Sequence, residues 1–336
     1  MRCRCGRQGT GSGAGEREQE QTMPVEILAM GEAMVEFNAT GPAEEGSRFL
    51  MGFGGDTSNA AIAAARQGAT AGYLSALGED FLGDALAALW RREGVDATHV
   101  KREPKAPTGV YFVTHGPAGH SFTYCRTGSA ASRLSPADVP EPAIAEAKVL
   151  HVSAISQAIS ASAEAAVDHA ISCARRHGVT VSYDTNLRLK LWPLEEAREC
   201  IHATLAKADI ALPSLEDARL LTGLEEPDVI VDFYLALGTP LVALKLGDAG
   251  ALVATRDRRR HLPGHKVAAV DATGAGDTFA GAFLARLVAG DDPLRAAAYA
   301  NAAAALSTTG YGAVAPIPSR AEVRRLLAES SARAAS

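Results

Sequence analysis

The chain has 336 residues, 47% of them hydrophobic, with a formal net charge of -6 and a pI near 5.9. That length and apolar content suffice for one large α/β domain or two smaller ones around a sizeable core. The acidic balance excludes an electrostatic nucleic-acid surface, and no run approaches the ~20 apolar residues needed to cross a membrane.

Residues 1–22 are rich in Gly, Arg, Gln, Glu and Ser without apolar periodicity, which predicts a disordered extension. They lack the apolar stretch of a secretory signal, so a cytoplasmic location is expected. The cysteines Cys3, Cys5, Cys125, Cys173 and Cys200 are odd in number and have no framework spacing, which fits a reducing compartment. Cys3 and Cys5 lack a second pair of ligands that would make a metal site.

A folded domain is expected over 23–320, with a C-terminal helix and tail over 321–336. Ile27 onward is strand-like, and Met34 to Asn38 continues until Thr40, Gly41 and Pro42 break it. After Gly52, Gly54 and Gly55, the Ala-rich segment Ser58 to Gln67 predicts a helix ended by Gly68. Residues 109–115 and 121–127 alternate around Gly116 and Gly119 and predict a β-hairpin, a candidate flap. From Lys148 the rhythm is regular: strands at 149–155, 179–184, 209–212 and 240–246, helices at 163–177, 194–206 and 216–222. Such alternation predicts a mostly parallel sheet with helices on both faces. Arg258 to Arg260 read as a solvated hairpin tip, Lys266 to Val270 as a strand, and Thr278 to Ala289 and Pro293 to Ser307 as helices.

Ligands of such sheets gather where strands lead into helices, and two glycine-rich segments lie at such places. The first, DATGAGDTF at 271–279, sets Gly274, Ala275 and Gly276 at a helix start, where backbone amides and the helix dipole favour an anion. Asp277 follows directly. A carboxylate beside an anion hole binds anions poorly but is well placed to accept a proton from an attacking hydroxyl. Taken alone, Asp277 could equally cap the helix. The second, GFGGDTSNAA at 52–61, brings Gly54, Gly55, Asp56 and Asn59 to another helix start, suited to hydrogen bonding with vicinal hydroxyls.

Together the two segments resemble the signatures of the PfkB, or ribokinase-like, family of carbohydrate kinases, and the similarity runs from residue 25 to about 318. The resemblance implies a Rossmann-like, mostly parallel sheet sandwiched by helices, with a small β-sheet lid from segments near 34–51 and 109–128. It implies Asp277 as catalytic base, Gly274, Ala275 and Gly276 as anion hole, and Gly54, Gly55, Asp56, Asn59 and Asp184 beside the acceptor. ATP with Mg²⁺ is the implied cosubstrate, near Ser214, Lys245, Gly247, Gly250, Thr273, Gly274, Gly276 and Asn301. Lys245 would serve as a movable point charge. Where the family often has N-x-x-E, this chain has Ser214, Leu215, Glu216, Asp217; Asp217 would then act on the metal through water. Asp271 and Thr273 are the implied neighbours of a monovalent cation such as K⁺.

Two arginines narrow the acceptor, because guanidinium groups hold carboxylates at fixed geometry. Arg126 lies in FTYCRTG and Arg188 in DTNLRLKLW, and both segments resemble those of kinases for 2-keto-3-deoxygluconate. On that reading Tyr111, Tyr124, Arg126 and Arg188 hold a sugar acid; a fructokinase or other ketose kinase is the alternative, and a non-catalytic sugar-binding regulator a remote one. A dinucleotide-dependent oxidoreductase would need G-x-G-x-x-G, and GFGGDT lacks its third glycine. The expected partners are a small sugar acid, ATP and a second copy of the chain through the lid, with no nucleic acid or membrane.

Overall fold

A computed structural model describes residues 24–41, 48–116 and 119–335. The extension expected over 1–22 lies outside the described residues. Strand β1 (Ile27–Met30) shows how the interior is divided: Ile27 and Ala29 enter one buried cluster, Leu28 and Met30 the other. Successive side chains of a strand face opposite ways, so a strand covered by helices on both sides must be apolar throughout.

The chain then forms β2 (Met34–Ala39), β3 (Phe49–Gly54), β4 (Ala71–Gly78), β5 (Val95–Asp96) and β6 (Val100–Glu103). Next come β7 (Gly109–Gly116), β8 (Gly119–Cys125), β9 (Val149–Ser153), β10 (Thr180–Asp184) and β11 (Ile210–Ala211). Last are β12 (Leu241–Lys245), β13 (Ala251–Ala254) and β14 (Arg259–Leu262). Among the described residues the main sheet runs β14-β13-β12-β11-β10-β9-β1-β4-β5, with β6 beside β4. It is parallel from β5 to β12 and turns antiparallel at β13 and β14. Helices Asp56–Arg66, Phe81–Glu93, Ala275–Val288 and Pro293–Ser307 supply one core; Ala161–Arg176, Leu194–Leu205, Leu215–Thr222 and Pro227–Leu237 supply the other. The separate lid sheet runs β3-β2-β7-β8.

The regular alternation after Lys148 matches the sequence reading, and the hairpin forms as β7 and β8. One expectation fails. Lys266 to Val270 is no strand: residues 263–272 are irregular, and the segment is mostly exposed with Val270 at 48%. An apolar run becomes a strand only when a neighbouring strand accepts its hydrogen bonds, and here Val270 and Asp271 donate instead to the Thr308 carbonyl. No described helix is long and apolar enough to cross a membrane.

Candidate active site

Parallel strands carry their last residues to one end of the sheet. Asp184 ends β10 and Lys245 ends β12, while Ser214, just past β11, bridges to Lys245. Glu32 follows β1. With the lid standing over them, these termini line a cleft of about 970 Å³.

At one end of the cleft, Gly274 precedes the helix Ala275–Val288 with φ +75°, a left-handed conformation. Any side chain there would be strained and would press on Ala313, since a Cβ would lie 2.9 Å from the Ala313 carbonyl. Gly274, Gly276 and Thr273 face the cleft; Ala275 does not, and its amide already donates to the Ala272 carbonyl at 3.1 Å. An anion at this helix start would therefore meet Gly274 and Gly276 rather than all three members of the G-A-G run. The Lys245 ammonium sits beside it, since a Cβ on Gly276 would lie 3.3 Å away, and it pairs with Asp184 at 2.6 Å.

Asp277 is in the first turn of that helix and faces the cleft. Asn59 Nδ2 donates to its Oδ2 at 2.8 Å, which joins the two glycine-rich segments across 218 residues. The helices meet closely because Gly281, one turn beyond Asp277, has no side chain; a Cβ there would lie 2.1 Å from the Ala60 carbonyl. Burial, and then the charge of Asp56, lifts the Asp277 carboxyl to about 7, against weaker opposing effects of Asn59 and Lys245. A carboxylate so placed is a competent proton acceptor near neutral pH.

The other end carries the lid. Tyr111 on β7 donates to Glu36 on β2 at 2.5 Å, and its ring stacks near Tyr124, with 5.7 Å between centroids. Gly54 must be glycine because a Cβ would lie 2.4 Å from the Tyr111 hydroxyl. Gly55 (φ +122°) admits the backbone of Glu32 and Ala33, and Asp56 opens the helix Asp56–Arg66, two residues earlier than expected. Asn186 donates to Asp56 at 3.1 Å, and burial raises the Asp56 carboxyl. Arg126 Nε donates to Glu32 at 2.7 Å, with a second contact from Nη2. Arg188 bonds the Leu187 carbonyl at 2.9 Å, and its charge opposes the burial-driven rise of the Asp56 and Asp217 carboxyls.

The remaining sequence candidates fall in two groups. Ser214, Asp217 and Gly247 line the cleft; Ser214 also caps the helix Leu215–Thr222 by accepting from the Asp217 amide, and Asp217 accepts from the Leu187 amide at 3.1 Å. Gly250, Asp271 and Asn301 lie off the cleft wall. Asp271 ties Thr273 and Gly312 into one loop, and Asn301 holds the Leu262 and Pro263 carbonyls. Sequence reasoning missed Glu32, Glu36 and Asn186. The DTNLR segment signalled Asn186, but nothing local marks the two glutamates. No cluster of three metal-binding side chains occurs among the described residues, and Asp217 and Asp184 both line the cleft.

Residues 25–320 match the model of the pfkB family carbohydrate kinases. The chain is 36% identical to a 2-dehydro-3-deoxygluconokinase of Thermoproteus tenax over 310 residues, 90% of this chain and 94% of that one. It is equally 36% identical to fructokinase-1 of Oryza sativa subsp. japonica over 315 residues, covering 90% and 97%. Among solved structures, a putative ribokinase II of E. coli in complex with ATP and Mg²⁺ superposes with a TM-score of 0.84 at 27% identity, covering 91% and 99%.

Proposed function

The chain belongs to the pfkB family of carbohydrate kinases, and from that premise we propose that it phosphorylates the terminal hydroxyl of 2-keto-3-deoxygluconate with ATP. The observation that carries the mechanism is Asp277, half-buried at a helix start beside Gly274 and Gly276, with its carboxyl lifted to about 7. On this reading the acceptor hydroxyl lies against Asp277, which takes its proton as the oxygen attacks the γ-phosphorus in line. The bond from that phosphorus to the β,γ-bridging oxygen breaks, and ADP leaves. The amides of the first helical turn and Lys245 hold the charge on the transferring oxygens. Mg²⁺, bound with the nucleotide near Asp217 and Asp184, would supply charge neutralisation. A monovalent cation such as K⁺ beside the Asp271–Thr273 loop is part of the same proposal.

Acceptor recognition falls to the lid and to the loop after β10. Asp56 Oδ1 and Asn59 Oδ1 are buried without hydrogen-bond partners, and sugar hydroxyls would satisfy them. Tyr111, Tyr124, Arg126 and Arg188 surround the space beyond, and their guanidinium donors, Arg188 above all because Arg126 is paired with Glu32, favour an acid over a neutral ketose. The deoxygluconokinase relative supports this choice; the equally similar fructokinase favours fructose as the second reading. The same proposal includes a cytoplasmic location and a dimer through the lid, the latter supported by the edge strand β3, which exposes Phe49, Leu50 and Met51. A coupled assay comparing 2-keto-3-deoxygluconate, fructose and ribose tests the assignment. The acid should give the highest kcat/KM, and fructose outperforming it would replace the acid with a ketose.

A further inference from the structure

Glu32 is a carboxylate in the wrong place for a site that takes an anion. Its side chain is 1% exposed, yet it borders the acceptor end of the cleft. Arg126 Nε donates to its Oε2 at 2.7 Å, Arg126 Nη2 contacts the same oxygen, and Ser129 Oγ donates to Oε1 at 2.5 Å. Glu32 thus occupies the Nε edge of the Arg126 fork and cancels much of its charge. The pairing also explains how an arginine whose side chain is only 10% exposed is held beside the lid. Gly109, where β7 begins, leaves room for it: a Cβ there would lie 2.7 Å from Glu32 Oε1.

We infer that Glu32 is a specificity-determining residue: by neutralising Arg126 it sets how strongly the cleft prefers an anionic acceptor over a neutral one of similar size. With Glu32 in place, Arg126 offers directed N–H donors but little net charge at this corner, and the loop arginine Arg188 is the other cation of the acceptor end, its charge facing the Asp56 and Asp217 carboxyls. Removing the Glu32 charge while keeping its hydrogen bonds should turn Arg126 into a second full cation facing the acceptor. Charges on side chains as little exposed as Glu32 and Arg126 interact more strongly than in water, so the effect should be measurable. The inference rests on the proposed reading only in placing the acceptor beside Arg126.

The test is the ratio of kcat/KM for 2-keto-3-deoxygluconate to that for fructose, measured in the whole enzyme and in Glu32→Gln. Glutamine keeps the size of the side chain and an oxygen for Arg126 Nε. The ratio should rise about tenfold, equivalent to ~1.4 kcal/mol. A ratio that stays within about twofold, or falls, would overturn the proposal. Should Glu32→Gln fail to fold, Tyr124→Lys and Tyr124→Glu provide the same test at a residue 39% exposed, whose ring lies 6.0 Å from the Arg126 guanidinium. Both lose the ring and they set opposite charges beside Arg126, so the lysine variant should show the larger ratio; equal ratios would overturn the proposal. A wild-type preference for fructose would defeat the sugar-acid reading, yet the change of ratio on substitution would still decide the role of Glu32.

Discussion

At the transfer end of the cleft, the functional groups come from strand termini and helix starts of the main sheet, whereas at the acceptor end many of them stand on a four-stranded sheet with an exposed edge. The first wall is fixed by close backbone approach. Gly281 lets two helices touch, Gly274 turns the chain beneath Ala313, and Asp277 and Asn59 meet as a result. The second wall is fixed by side chains reaching across strands, Tyr111 to Glu36 and Arg126 to Glu32. On the proposed reading, chemistry common to every acceptor belongs to the first wall, and discrimination among acceptors to the second.

This contrast can be broken at graded cost. The largest effect should come from Asp277→Asn, which keeps the shape of the transfer wall but removes the base: kcat should fall about 10² to 10⁴-fold while the acceptor still binds, as read by single-turnover kinetics with calorimetry. Turnover at the wild-type level would assign proton transfer elsewhere. Next, Gly281→Ala overpacks the helix crossing, and denaturant unfolding should record a loss of about 1–3 kcal/mol; a fully stable variant would mean the helices separate freely. On the lid wall, Tyr111→Phe deletes one hydrogen bond to a carboxylate and should raise the acceptor KM about tenfold, with KM for ATP unchanged, for a change of about 1.5 kcal/mol. An equal rise in both constants would show that the two walls are not separable. The smallest effect on the fold belongs to Leu50→Lys on β3, 67% exposed, where stability should move by less than about 0.5 kcal/mol. Sedimentation should nevertheless show a dimer turned to monomer, and an unchanged sedimentation coefficient would remove the lid from the interface.

Glycines were the more legible in sequence, and for the same physical reason. A backbone that must come close to an anion, a ring or another backbone needs glycine, so Gly274 and Gly276 stand out on the first wall with Asp277 beside them, and Gly54 and Gly55 stand out where the lid meets the main sheet, with Asp56 and Asn59 following. The parallel strands were legible because full burial demands continuous apolar runs. Glu32 and Glu36 could not be read this way. Glutamates are mostly exposed, and these are buried only because β7 and β8, about 80 residues later, bring a tyrosine, an arginine and a serine to them. Lys266 to Val270 failed in the opposite sense, since its composition suits a strand but no strand lies beside it. The role of Gly281 was hidden too, because a lone glycine in an Ala-rich helix carries no sign of what crosses it.

The pH dependence of kcat/KM addresses the base most directly. Asp277 must be ionised to accept a proton, and its carboxyl is raised to about 7, chiefly by burial. Activity should therefore fall tenfold per unit of pH below about 7 and level off above it, and Asp277→Asn should lose that limb along with most of its turnover. A wild-type profile that stays flat down to pH 5, or a limb near 7 that survives in the asparagine variant, would contradict the assignment.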